Sequence, residues 1–128
     1  MISVNEIELD FDVTSPSDML RYTEAIEQMK AESNNTVLPS TDPDVDYRMY
    51  MKEYVEMLNS ELRIFGNFID NVFGDGVAMQ LLGSNPSLNK VAEVDEALGE
   101  ALEAQGREFG VKLAKYKPNR ATRRAKRK

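Results

Sequence analysis

Residues 41–76 read TDPDVDYRMYMKEYVEMLNSELRIFGNFIDNVFGDG, and the spacing of their apolar side chains decides the fold. Tyr47, Met51, Tyr54, Leu58, Leu62, Phe65, Ile69 and Val72 recur at intervals of three and four, which places them on one side of an α-helix. Asp42 with Pro43 behind it predicts the helix start, because an Asp oxygen can take an orphan N–H and proline has no N–H to lose. Gly74 predicts the stop. Counted from Asp44 to Phe73 the helix holds 30 residues, a length of about 45 Å at 1.5 Å per residue. That outruns one small core, so a break at Gly66 or an oligomeric contact is expected.

Working upstream, the segment from Ser33 to Pro43 is polar, carries two prolines and reads as a loop. Before it, SPSD predicts a second helix start, with Ser15 as N-cap, Pro16 at the first helical position and Asp18 near the positive end of the dipole. Met19, Tyr22, Ile26 and Met29 then form one apolar stripe up to ESNNT. At the N-terminus, Ile7, Leu9, Phe11 and Val13 alternate with Glu6, Glu8, Asp10 and Asp12, the period of a half-buried strand over 6–13. A lone strand leaves its edges open. It has to pair with another segment or with a second copy, or lie as an extended arm over the helices.

Downstream, DGVAMQLLG predicts a short helical turn capped by Asp75, and GSNPS a turn. A last helix is expected over 86–113, with Leu88, Val91, Val94, Leu98, Leu102, Phe109 and Leu113 on its apolar side. Gly99, Gly106 and Gly110 lie inside it, each costing about 1 kcal/mol relative to Ala, and read either as room for another backbone to approach or, more simply, as fraying of the last turns. The expected architecture is mainly α. It is a small helical domain of three to four helices over 1–113, with a short N-terminal β-strand or extended arm and a disordered basic tail over 114–128.

Charge is divided unevenly along the 128 residues. Nine of the 16 Lys and Arg lie in 112–128, with none of the 22 Asp and Glu. Residues 1–111 therefore hold 7 basic against 22 acidic side chains, a net charge of −15 ahead of a tail of +9. The basic tail positions are Lys117, Arg120, Arg123, Arg124, Lys126, Arg127 and Lys128, chemistry that can neutralise phosphates nonspecifically and with strong salt dependence. Tyr116 is the one aromatic there, so no ring platform for stacked bases is present. The acidic body would also repel a polyanion within a Debye length of about 8 Å.

Cysteine and histidine are both absent, which excludes disulfides, thiolate ligands, a cysteine nucleophile and the usual general base near neutral pH. Asp42, Asp44, Asp46 and Glu53 fall at positions 1, 3, 5 and 12 of a calcium loop, but Tyr47 stands where the loop needs glycine, and acidic residues suit a helix start equally well. Glu93, Asp95, Glu96, Glu100 and Glu103 read as a solvated acidic face, since nothing places a nucleophile beside them. No metal, cofactor or enzymatic activity is expected. No apolar run approaches the roughly 20 residues of a membrane span and no signal peptide is legible, so the expected compartment is the cytoplasm. The Tyr and Met positions of the long helix are core or interface, methionine suiting surfaces that adapt to a partner. Tyr47, Met51, Tyr54, Leu58 and Phe65 are the candidate partner-binding residues.

The ending YKPNRATRRAKRK resembles the C-termini of small proteins encoded in the tail modules of siphophages of Gram-positive bacteria. NEIELDF, DMLRYTEAIEQM, LRIFGNFIDNVFGDG and NKVAEVDEALGEAL are similar in order and spacing to their tail assembly chaperone class. The resemblance implies a non-enzymatic partner of the tape measure protein, the long helical rod that sets tail length. It would keep the rod soluble in the host cytoplasm while the tube polymerises, and would be absent from the mature virion. In many relatives a ribosomal frameshift appends a second domain. Self-association is compatible with this reading, and a small nucleic-acid-associated protein using the basic tail is the alternative.

Overall fold

The computed structural model describes residues 1–126 and, within them, side chains through Val111. Two strands, β1 (Ile2–Val4) and β2 (Ile7–Leu9), precede helices α1 (Pro16–Asn34), α2 (Tyr47–Phe73), α3 (Val77–Leu82) and α4 (Leu88–Lys126). The mainly helical expectation is met.

The alternating N-terminus finds its partner in the residues just before it. β1 and β2 pair antiparallel with Ile2 opposite Leu9 and Val4 opposite Ile7. Asn5 and Glu6 form the two-residue turn, both with positive φ, 50° and 69°. Such a turn matches the right-handed twist of the strands. Asn tolerates that backbone, whereas Glu pays for it in strain, and the missing Asn-Gly signature is why a hairpin is hard to read here. The strand is also shorter than the alternation, because residues 10–12 leave the ladder without strand pairing and Val13 enters a turn closed by Ser15 N donating to Asp12 O at 3.0 Å. Gln105 holds them there, its Oε1 accepting from Val13 N at 2.8 Å and its Nε2 donating to Phe11 O at 3.0 Å. One amide side chain thereby satisfies two backbone groups that would otherwise lack a ladder partner.

α1 begins as its sequence dictates, with Ser15 Oγ accepting from Asp18 N at 3.3 Å and Pro16 at the first position. Ala25 is buried and Tyr22, Ile26 and Met29 pack partly behind it, while Met19, expected in the stripe, stays exposed. α1 and α2 lie antiparallel, since Arg21 near the start of α1 donates from Nε to Val72 O at 2.8 Å near the end of α2.

The start of α2 differs from expectation. Asp42 Oδ1 accepts from Asp44 N at 3.0 Å and Asp42 O from Val45 N at 3.1 Å, so Asp42 closes a turn of its own and Asp46 occupies the N-cap position. Local side-chain bonds of this kind compete with helix formation. Gly66 does not break the helix. A methyl placed there would stand 3.8 Å from Ala78 Cβ, ordinary van der Waals contact, and its φ is helical. Gly66→Ala is therefore expected to stabilise the fold by about 0.5–1 kcal/mol through helix propensity. A raised thermal midpoint checks it, and a lowered one would mean that α2 and α3 cannot absorb the methyl.

α2 ends at Gly74 (φ 120°), whose N–H donates to Asp70 O at 2.9 Å, and the chain turns through Gly76 (φ 88°) into α3. The expected cap Asp75 takes no part. Gly76 holds the N-cap position, and Asp70 on α2 reaches across to accept from Ala78 N at 2.9 Å. α4 starts two residues later than expected, with Ser87 Oγ accepting from Lys90 N at 3.2 Å, and continues past Leu113 to Lys126. Among its described side chains the buried ones are Val94 and Leu98, and Phe109, expected on the apolar side, is exposed. A methyl at Gly99, Gly106 or Gly110 would meet nothing within 4 Å among the described residues, so none of these brings another backbone close there. The side chains of Leu113 and of the basic positions Lys117, Arg120, Arg123, Arg124 and Lys126 lie outside the described residues, as do Arg127 and Lys128 entirely; of the tail expected to be disordered over 114–128, the backbone as far as Lys126 continues α4.

These elements meet in one core formed by Ile2, Val4, Leu9 and Phe11 from the N-terminal segment, Ala25 from α1, Phe65, Phe68, Ile69 and Val72 from α2, and Ala78, Leu82, Val94 and Leu98 from α3 and α4. Phe11 lies at its centre, its ring 5.9 Å from that of Tyr22 and 5.5 Å edge-on from Phe73. Tyr22 in turn meets Phe68 edge-on at 5.8 Å.

Candidate partner-docking face

Every fully buried side chain of α2 lies at or after Ile64. The reason is the length of its cover. α1 has 19 residues against 27 in α2, about 28 Å against 40 Å. With Arg21 set against Val72, α1 runs out before the first turns of α2 are reached.

Those turns nevertheless keep an apolar composition. Tyr47 is 72% exposed, and Met49, Tyr50, Met51, Tyr54 and Val55 are exposed with it. Tyr50 and Tyr54, one turn apart, stack with rings 9° from parallel and centroids 6.5 Å apart. The connecting loop adds Val37 and Leu38, also exposed, and is tied to α2 by Ser40 N donating to Glu53 Oε2 at 2.8 Å. Scattered single apolar residues on a surface are ordinary, whereas a contiguous group marks a site of contact.

Val37 and Leu38 also line a cavity of about 630 Å³ that opens where α1 ends, between the end of α1, the loop and α2. Val37, Leu38 and Met57 give it apolar walls, and Glu32, Glu53, Glu56 and Arg63 give it charge. Among the described residues the one ion pair is Arg21 with Asp18 at 3.0 Å, so none of these carboxylates is paired with a cation. The last turn of α1 carries no basic residue to offset the negative end of its dipole. The cavity is electronegative.

Of the candidate residues, Tyr47, Met51 and Tyr54 stand together on the exposed half of α2, and Leu58 is half-buried at its edge. Phe65 does not belong with them. It is 7% exposed and packs on Phe68 at 6.1 Å inside the core, because α1, α3 and α4 cover that part of the helix. Sequence reasoning missed Met49, Tyr50, Val55, Val37 and Leu38. A signal for them existed: apolar residues at 47, 49, 50, 51, 54 and 55 go most of the way round the helix, more than one covered face can use. The acidic candidates Glu93, Glu96, Glu100 and Glu103 are exposed on α4. Among the described residues no group of three or more Asp or Glu is gathered as a metal would require.

Away from this face, burial raises the Tyr22 hydroxyl above its usual pKa of 10, and the nearby charge of Asp95 adds to the effect. The fold thus favours the neutral phenol. Its contribution is fully present below about pH 10 and is lost as pH rises through the raised folded value. Urea unfolding at pH 8.5 and pH 10.5 should show a larger loss for the native chain than for Tyr22→Phe; equal losses would refute it.

A small helical domain whose second helix, α2, carries a closed core at one end and a bare aromatic–methionine face at the other is the class these features define. The model of a family of unknown function, DUF6673, matches residues 5–127, and the chain belongs to that family. No curated protein and no solved structure matches it. No helix among the described residues is long and apolar enough to cross a membrane.

Proposed function

We propose that the protein is a non-enzymatic tail assembly chaperone that binds the tape measure protein in the host cytoplasm, keeps it soluble while the tail tube forms, and leaves before the virion is complete. The sequence resemblance supplies the identity of the partner. The observation that carries the binding mode is the bare first half of α2, where Tyr47, Tyr50, Met51 and Tyr54 stand exposed on a helix whose other half is buried. An amphipathic rod can lay its apolar stripe along such a face, and the acidic body keeps the complex soluble.

Coexpression with a tape measure protein, the long helical rod of such tail modules, tests this. The rod is expected in the soluble fraction only when the protein is present, and the pair Tyr50→Ser and Tyr54→Ser should release it while leaving the thermal midpoint nearly unchanged, since both rings lie outside the core. Binding should survive deletion of residues 117–128 and high salt. A rod equally soluble alone, or affinity for mixed oligonucleotides that collapses with salt and with that deletion, would overturn the reading.

A further inference from the structure

The docking face is chemically two-sided, and the second side specifies the partner further. We propose that the cavity at the end of α1 seats Lys or Arg side chains along one edge of an amphipathic helix of the bound partner, while the apolar stripe of that helix lies on Tyr50, Met51 and Tyr54. This deepens the chaperone reading and rests on the docking face it assigns.

Charge complementarity selects the occupant. Glu32, Glu53 and Glu56 line the cavity against a single Arg63, none of them held in an ion pair among the described residues, and the uncompensated end of α1 adds to the negative potential. Glu53 is already committed to Ser40 N, which fixes one carboxylate at the wall. The Glu56 carboxylate has no hydrogen-bond or ion-pair partner among the described residues, which leaves it to meet a cation directly. The walls supplied by Val37, Leu38 and Met57 suit the methylene stem of a Lys or Arg, whose charged end can then reach the carboxylates. The exposed rings alongside can take the apolar stripe of the same helix. An acidic or neutral edge would leave these carboxylates facing like charge or stripped of water without a partner.

Fluorescence anisotropy with the full chain tests the proposal. One labelled probe is a designed amphipathic helical peptide with a Leu/Ala stripe and Lys/Arg along one edge, a second has Gln at those edge positions, and a third is the peptide of residues 112–128. The basic-edged peptide should bind about tenfold more tightly than the Gln-edged one, and the preference should shrink with added salt. Glu32→Lys with Glu56→Lys should abolish it. Glu56→Gln alone should reduce it, which keeps the test usable if the double variant loses helicity by circular dichroism. Equal affinity for the two designed peptides, a preference that survives in both variants, or tighter binding of the 112–128 peptide overturns the proposal, the last by assigning the cavity to a second copy. The two readings fail separately. If the rod needs this protein for solubility but tolerates the Glu32 and Glu56 variants, the cavity proposal falls and the chaperone stands. If the basic edge is preferred yet the rod is soluble alone, the chaperone falls and the cavity stands.

Discussion

Phe11→Ala is expected to lower the free energy of unfolding by about 3–5 kcal/mol, the range for removing a fully packed aromatic ring. Phe11 is 0% exposed, and its ring touches Tyr22 on α1 and Phe73 at the end of α2 while its carbonyl accepts from Gln105 on α4. Truncation therefore leaves a cavity at the place where the extended segment meets three helices, and no neighbour is free to fill it. Against a total stability of about 5–15 kcal/mol for a domain, this is a loss of roughly a fifth or more. Urea unfolding followed by circular dichroism measures it as a lower midpoint at unchanged slope. A loss under about 1 kcal/mol would mean that residues 10–13 are not packed as described, and would withdraw the N-terminal segment from the core.

Ile69→Asp carries the second large effect. Ile69 is 0% exposed on the face of α2 that meets the rest of the core. A carboxylate there would lose its water and gain no partner, since no buried polar or charged residue accompanies the core among the described residues. The group must either stay protonated, with a pKa driven well above the ordinary value of about 3.9, or expel itself by unfolding the chain. At pH 7 the expected result is no cooperative thermal transition. The penalty grows as pH rises above the unfolded value and lessens as pH falls toward it. Ile69→Val, which removes one methylene, should cost only about 0.5–1.5 kcal/mol and shows that the position rather than any change is at fault. A native melt for Ile69→Asp at neutral pH would place water at this point.

The two variants act on the end of α2 that is covered, and the tyrosine pair acts on the end that is not. If the core variants unfold the chain while Tyr50→Ser with Tyr54→Ser leaves its melting intact and removes binding, folding and docking are divided along one helix. Stability then resides after Ile64 and recognition before Leu58.

Local chemistry was legible wherever a single residue type suffices. Ser15 and Pro16 start α1 because their bonding acts within one turn, and Gly74 ends α2 because only its backbone turns there without steric cost. Signals that compete were misread. Asp42 has the chemistry of a cap but serves its own turn, leaving Asp46 at the helix start, and Asp75 yields to Asp70 from a neighbouring element. The hairpin hid behind Asn5–Glu6, a turn without glycine. Gln105 could not be assigned at all, because its bonds to Val13 and Phe11 span more than ninety residues.

For the candidate site the division is sharper. Periodicity along 47–72 is a property of the chain itself, so one sequence determined the helix, its apolar stripe and the imbalance between acidic body and basic ending. Whether a position on that stripe is core or surface depends on what lies opposite. α1, α3 and α4 lie over the later turns of α2 and made Phe65 part of the interior, whereas α1 is too short to reach the first turns and left Tyr47, Met51 and Tyr54 facing solvent.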